Sequence, residues 1–340
     1  TAIRQATESG SEFILTDTLR AGEVPLSHSM VAHNLRTVIC FPLLRRHDAL
    51  RATRAGTRGA DILGVLYLDS RFVPGSFTSV DNDLLRTIAR EAAALVENTA
   101  LAAAEEQARQ YREEMEIAAR IQKGLMEVRH PELSFAGIEA MSVPCKEIGG
   151  DFFDVVSDGR SLSVALVDVS GKGISAAILA STLQGMLYMQ LSSGQRLEEI
   201  ASVLNSYLCT KNVGKYATMV LMRLHEGGML EFVNCGHIHP RIAWGGEVRR
   251  LEASNAPVGL LPEMTYASAT LQLKPECRLL LVSDGVTEAE NREGEMFGDE
   301  RLDEALASCE LGQLAKTIWA FCGEEPLKDD CTMLELKFRG

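Results

Sequence analysis

The sequence predicts an α+β fold: antiparallel sheets with helices layered outside them, preceded by a smaller α/β segment and one very long helix. Three observations carry this. From residue 131 onward, short apolar runs follow one another at hairpin spacing, with Gly-rich turns at Glu226-Gly-Gly-Met229 and Gly245-Gly246. These runs are interrupted by pairs of consecutive helical patterns, not by a helix after every strand, which argues against a βαβ-repeating parallel sheet. Between Val80 and Val128 there is no Pro and one Gly, Gly124, as a long uninterrupted helix requires.

Taken in order, two strand-like runs at 38–44 and 62–69 flank an Arg/Ala/Gly-rich stretch at 45–60 that suits a solvated loop. Pro74-Gly75 breaks the chain. The Ser79 hydroxyl can accept from the free amides of a first helical turn, and Asp81 and Asp83 suit the positive end of the helix dipole. Leu84, Ile88, Ala92, Leu95, Thr99 and Ala102 form a seam of about 3.5-residue period. It weakens after Glu106, and Met115, Ala118, Gln122 and Leu125 resume it. At about 1.5 Å rise per residue such a helix is too long for an ordinary domain element. It reads as a parallel coiled coil pairing with a second copy, the alternative being a helix packed along its own domains in a monomer. His130-Pro131 ends it. Strands are then expected at 134–143, 151–156, 162–169, 218–224, 230–235, 241–244, 266–273, 278–283 and 332–338, with helices at 174–191, 196–208, 299–307 and 311–321. The chain divides into a sensor-like segment 1–78, a connecting helix 79–130 and a domain 131–340.

The charge follows the same division. The chain carries 34 Lys+Arg against 47 Asp+Glu, and residues 1–130 account for 16 and 17 of these, so nearly the whole net charge of −13 lies after residue 130. A carboxylate surplus argues against a nucleic-acid partner, since a phosphate backbone favours basic surfaces. It leaves a solvated acidic surface, or carboxylates gathered to hold divalent cations. The eight cysteines form no CxxC pair and no cluster has zinc spacing, so they read as reduced thiols of a cytoplasmic protein. No apolar run is read as reaching the roughly 18 residues that span a bilayer, so no membrane partner is expected. Thr1 in place of Met reads as a fragment.

Four acidic positions share one local grammar, a strand end or the turn beyond it. Asp151 follows Ile148-Gly-Gly, Asp168 closes 162–167, Asp284 closes 279–283 and precedes Gly285, and Asp329-Asp330 precede the last strand. One strand-end aspartate is more often a turn cap. Several converging would make an all-oxygen pocket, because a charge at the end of an apolar strand needs a partner or a cation. Oxygen ligands without thiolate or imidazole select hard cations such as Mg²⁺ or Mn²⁺.

The ordered motifs Gly149-Gly150-Asp151-Phe152-Phe153-Asp154, Asp168-Val-Ser-Gly171-Lys172-Gly173, Asn234-Cys-Gly236-His237, Ser283-Asp284-Gly285-Val-Thr287-Glu288-Ala289 and Asp329-Asp330-Cys-Thr332 resemble the metal-dependent Ser/Thr protein phosphatases (PPM, type 2C), in the SpoIIE-like or RsbU-like bacterial branch. The resemblance covers about 118–340, beginning with Ala118-Ala-Arg-Ile-Gln122-Lys-Gly-Leu125, and includes Pro257-Val258-Gly259 and Phe297-Gly298. It implies an αββα sandwich with two Mn²⁺ or Mg²⁺ ions at one end. Asp168 would bridge the ions, the Val169 carbonyl would add a ligand, Asp284 and Asp329 would hold one ion, and Asp151 would reach the other directly or through water. The implied chemistry is attack of a metal-activated water on a phosphoserine or phosphothreonine. A leaving-group proton could come from His237, Lys172 or a metal-bound water, with a turn-stabilising role as the alternative for His237. The implied substrate is a phosphorylated STAS-type anti-sigma antagonist.

The first part resembles the C-terminal portion of a GAF domain through 37–44, 62–69, Phe77-Thr-Ser-Val-Asp81, Leu84-Leu85, Ile88-Ala89 and Glu97-Asn98, without the Asn-Lys-Phe cyclic-nucleotide signature. It implies a homodimerising sensor of unknown ligand. Through Ile121, Gln122 and Leu125, expected to pack near the helix pair starting at Ile174, the long helix would convey its state to the catalytic domain. Two other motifs fail: the GGDEF pattern of diguanylate cyclases at Phe152, and Walker A at Leu166 and Gly173. The competing reading is a phosphatase-fold module that acts mainly as a partner-switching binding protein with little activity.

Overall fold

A computed structural model describes residues 2–15, 35–45, 62–71, 79–127, 131–212, 214–323 and 325–340. All but the first residue of the expected loop at 45–60, the Pro74-Gly75 break, the Ser79 side chain and the stop at His130 lie outside the described residues. The chain forms two compact units, Thr1–Arg112 and Glu113–Gly340, whose boundary falls inside the long helix.

In the first unit, helix α1 (Ala2–Ser9) precedes a three-stranded antiparallel sheet in the order β1 (Phe13–Leu15), β2 (Thr37–Leu44), β3 (Ile62–Ser70). Strand β2 alternates. Val38 and Cys40 pack against Ala2 and Ala6 of α1, while Ile39 and Phe41 pack against Ala89 of the long helix α2 (Ser79–Leu125). The face of α2 that turns inward carries Leu85, Ala89 and Ala93. The sequence seam lies on another face, and its Leu84, Ile88 and Leu95 are 59%, 44% and 66% exposed.

The second unit is a sandwich of two five-stranded sheets in which all strand pairings are antiparallel. Its strands are β4 (Ala136–Val143), β5 (Phe152–Ser157), β6 (Ser161–Val169), β7 (Ala217–His225), β8 (Met229–Cys235), β9 (Arg241–Trp244), β10 (Glu247–Arg250), β11 (Ala269–Gln272), β12 (Arg278–Val282) and β13 (Cys331–Phe338). One sheet runs β10-β9-β12-β13-β4 and the other β11-β8-β7-β6-β5. Between them lie Leu162, Val164 and Leu166 of β6, Val220 and Met222 of β7, and Leu279, Leu281, Leu334 and Leu336 of the facing sheet. Truncating such a side chain to Ala costs about 2–5 kcal/mol.

The outer faces are covered by helix pairs. Helices α3 (Ile174–Ser192) and α4 (Leu197–Lys211) cover Ala165, Val167 and Val169. The pair α6 (Gly298–Ser308) and α7 (Leu311–Cys322) covers Leu280 and Val282, and a one-turn helix α5 (Asp284–Thr287) follows β12. Strand β6 is buried on both faces, which is why it reads as a nearly continuous apolar run.

Helix α3 corrects the expectation that no apolar run is long enough to span a bilayer. Its 19 residues are long and apolar enough to cross a membrane by length and composition. Here it is a core helix, burying Ala176, Leu179, Ala180, Leu183, Leu187 and Leu191 against the sheet.

Candidate metal centre

Antiparallel pairing gathers the acidic positions at one end of the sandwich. The start of β5 lies beside the end of β6, with Phe152 opposite Val167, and the end of β12 lies beside the start of β13, with Val282 opposite Met333. Asp168 shares the period-two face of Leu162, Val164 and Leu166, so it points between the sheets just where the apolar core stops.

Asp284, opening α5, is held beside the β13 turn by Ser283. The Ser283 hydroxyl donates to the Asp330 carbonyl at 3.0 Å and accepts from the Thr332 amide at 2.9 Å. Gly285 permits this approach, because a Cβ there would stand 2.1 Å from the Asp330 carbonyl oxygen. The Val169 carbonyl faces the Asp151 loop, 3.0 Å from where a Cβ on Gly150 would sit.

The carboxylates feel one another. Burial first, then the Asp168 charge, drives the Asp151 pKa well above the usual range. For Asp168, burial followed by Asp284 and Asp329 pushes it up to about 7. Asp284 is raised by burial and then by Asp329. Asp151 is 6% exposed and its Oδ2 has no hydrogen-bond partner. An uncompensated buried carboxylate oxygen facing further carboxylates is costly without a cation. The donors are all oxygen, so the residues fit a hard divalent ion.

Among the described residues, the group of metal-ligating atoms lying within 4.8 Å of one another is Cys145, Asp329 and Asp330. Asp330 is chiefly structural. Its Oδ1 accepts from the Cys145 amide at 2.9 Å and its Oδ2 from the Gly150 amide at 2.7 Å, which fixes the loop that delivers Asp151. Sequence reasoning missed this role and the proximity of Cys145. The Asp329-Asp330 pair was the available signal, but an acceptor of main-chain amides far away in the sequence leaves no local pattern. Burial, reinforced by Asp330, pushes the Cys145 thiol up to about 11.

Lys172 reaches Asp329 Oδ2 at 2.7 Å and donates also to the Lys328 carbonyl. His237 pairs with Thr218, the residue opposite Asp168 across β6 and β7. It is buried, its Nδ1 pairs with Thr218 Oγ1 at 2.8 Å and its amide donates to Asn234 Oδ1 at 2.8 Å. Burial pushes its imidazole down to about 4, which leaves it neutral at pH 7. Its contacts with Asn234 brace the turn after β8, and its Nε2 is buried without a hydrogen-bond partner.

The end of α2 reaches both the Asp151 loop and helix α3. Gln122 clasps Gly149 with both ends of its amide, donating to the carbonyl at 2.8 Å and accepting from the amide at 3.2 Å. Gln184 of α3 donates to the Leu125 carbonyl at 2.9 Å. Ile121 and Leu125 were expected to pack near α3, yet their side chains are 60% and 58% exposed. The helical period turns Gln122 and Met126 inward in their place, Met126 lying against the core beneath α3. A cavity of about 750 Å³ lies here, lined by Gln122, Met126, Phe153, Asp151 and Asp330 among others.

A family profile described as Stage II sporulation protein E (SpoIIE) matches residues 158–339, more than half of the chain. The chain belongs to the SpoIIE family. It is 28% identical over 187 residues to the phosphoserine phosphatase RsbU of Bacillus subtilis, covering 53% of this chain and 55% of that protein. It is 25% identical over 184 residues to the phosphoserine phosphatase RsbP of the same organism, covering 51% and 45%. The SpoIIE-family chain thus spans about half the length of these curated relatives. Among solved structures it resembles the SiaA-PP2C domain of Pseudomonas aeruginosa, with TM-score 0.59, 19% identity and coverage of 68% of this chain and 98% of that one. It also resembles the RsbU and RsbW domains of a Mycobacterium tuberculosis protein, with TM-score 0.56, 24% identity and coverage of 63% and 62%. The sandwich is therefore the PP2C-like fold.

Proposed function

We propose that this chain is a metal-dependent phosphoserine/phosphothreonine protein phosphatase. The orphaned Asp151 Oδ2, buried against Asp168 at the end of the sandwich, is the observation that carries the reading. Two ions are the complement we assign, since the four carboxylates Asp151, Asp168, Asp284 and Asp329 carry the charge that two divalent cations neutralise. Bound Mn²⁺ or Mg²⁺ would supply water activation near neutral pH and neutralise phosphoryl oxygens. The protein's part is to hold oxygen ligands fixed. Asp168 and the Val169 carbonyl sit on a central strand, Asp284 on the Ser283 clasp, and Asp151 on the loop anchored by Asp330.

Likeness to RsbU and RsbP supports a phosphorylated STAS-domain anti-anti-sigma factor as substrate in a cytoplasmic partner-switching system. The exposed Leu84, Ile88 and Leu95 support pairing of α2 with a second copy, dimerising a GAF-like sensor segment, and the Gln122 clasp supports transmission of that segment's state to the Asp151 loop. The test is phosphate release from a phosphoserine STAS protein with Mn²⁺. Activity that is lost in Asp168→Asn is expected; activity absent at every metal concentration, with Asp168→Asn indistinguishable from wild type, sinks the reading in favour of a binding module.

A further inference from the structure

The turn after β6 is unusually well fixed. The Ser170 amide donates to the Tyr216 carbonyl at 2.9 Å, the Tyr216 amide donates to the Ser170 hydroxyl at 3.0 Å, and Lys215 Nζ donates to the Ser170 carbonyl at 2.7 Å. Gly171 sits at φ +86°, and a Cβ there would stand 2.6 Å from Lys215 Nζ. From this rigid turn Lys172 crosses to the loop before β13, where its ammonium meets the Lys328 carbonyl and Asp329 Oδ2. Among the described residues it is the one cation that forms an ion pair with any of the four ligand aspartates. Lys215, the nearby alternative, spends its ammonium on a carbonyl.

We propose that Lys172 is the resident counter-cation of the metal centre: its ammonium holds the Asp329 carboxylate in the metal-free protein and must leave it when a divalent ion loads. This rests on the metal-centre reading above. Lys172 is thus a positioning residue. It keeps Asp329 aimed into the cluster while no ion does so, and it sets the metal concentration at which the centre fills. The physical argument is competition for one oxygen. A carboxylate oxygen 2.7 Å from an ammonium is not free to ligate, and a retained ammonium close to a divalent ion is repelled by it. The side chain is 41% exposed, so it has solvent to move into.

The test is Mn²⁺ titration of the full chain by calorimetry, which reads binding without catalysis. Lys172→Met should bind Mn²⁺ about tenfold more tightly than wild type, and Lys172→Arg, which keeps the competing charge, should stay close to wild type. In an Asp329→Asn background the same Lys172→Met substitution should have almost no effect, because the contested carboxylate is gone. Weaker or unchanged binding in Lys172→Met overturns the inference, as does a tenfold gain that persists with Asp329→Asn. Wild type and Asp168→Asn binding Mn²⁺ equally would instead overturn the metal centre, and the inference with it.

Discussion

Gly285→Ala isolates the geometry that brings Asp284 to Asp329. The new Cβ would lie 2.1 Å from the Asp330 carbonyl oxygen, 2.8 Å from its carbon and 3.2 Å from the Asp329 carbon. All three are main-chain atoms, so no rotamer change relieves the clash, and the two segments must part by about 1 Å in an interior that packs like a crystal. Overpacking of this kind costs about 1–3 kcal/mol. In a unit of this size each kcal/mol lowers Tm by about 2–4 °C, so a fall of roughly 2–12 °C is expected. The same displacement draws Asp284 away from Asp329, and Mn²⁺ affinity should fall at least tenfold. Thermal unfolding followed by circular dichroism, with and without Mn²⁺, reads both effects. A Gly285→Ala protein with wild-type Tm and wild-type Mn²⁺ affinity would refute the reasoning.

Further outcomes follow from the same contacts. Asp168 holds its proton up to about pH 7 in the folded metal-free protein, against an ordinary carboxylate value of 3.8, so the folded state binds the extra proton between those pH values. The metal-free protein should therefore lose stability as pH rises from about 4 to 7, while Mn²⁺ binding should weaken as pH falls below 7; flat profiles in both melting and titration would contradict this. Gln122→Ala removes two part-buried hydrogen bonds to Gly149, worth about 1 kcal/mol each. It should weaken Mn²⁺ binding about threefold to thirtyfold by calorimetry, whereas Ile121→Ala, at an exposed position, should leave it within a factor of two. Replacing Leu84, Ile88 and Leu95 together by Ser should shift the mass measured by light scattering from dimer to monomer; an unchanged mass would mean that α2 does not carry the pairing.

Much of the second unit was legible because its patterns are local. Strand β6 shows its burial on both faces as an unbroken apolar run, and the Gly-rich turns mark two hairpins directly. The four candidate ligand aspartates stood out because each is a charge at a strand end or in the turn beside it, which is conspicuous in one dimension. What failed to show was whatever depends on distant partners. Asp330 beside Asp329 looks equivalent to it, yet its oxygens are committed to amides almost two hundred positions earlier in the chain. Leu125 continues the apolar seam and Ile121 is the apolar residue beside it, so both looked like packing residues, but the inward face of that last turn belongs to Gln122, the seam's polar member, and Met126. The edge strand β10 has the sequence Glu-Val-Arg-Arg, too polar to read as a strand by itself, and it is held by its hairpin with β9 and by Arg250 pairing with Asp303 of α6.

The central claim is that Asp151, Asp168, Asp284 and Asp329 form one divalent-metal centre. Crystals of the full chain grown with Mn²⁺ would test it by anomalous scattering. Two peaks among these four carboxylates and the Val169 carbonyl are predicted, both lost in Asp168→Asn. No peak there, or a peak confined to Cys145 and Asp330, would contradict the account.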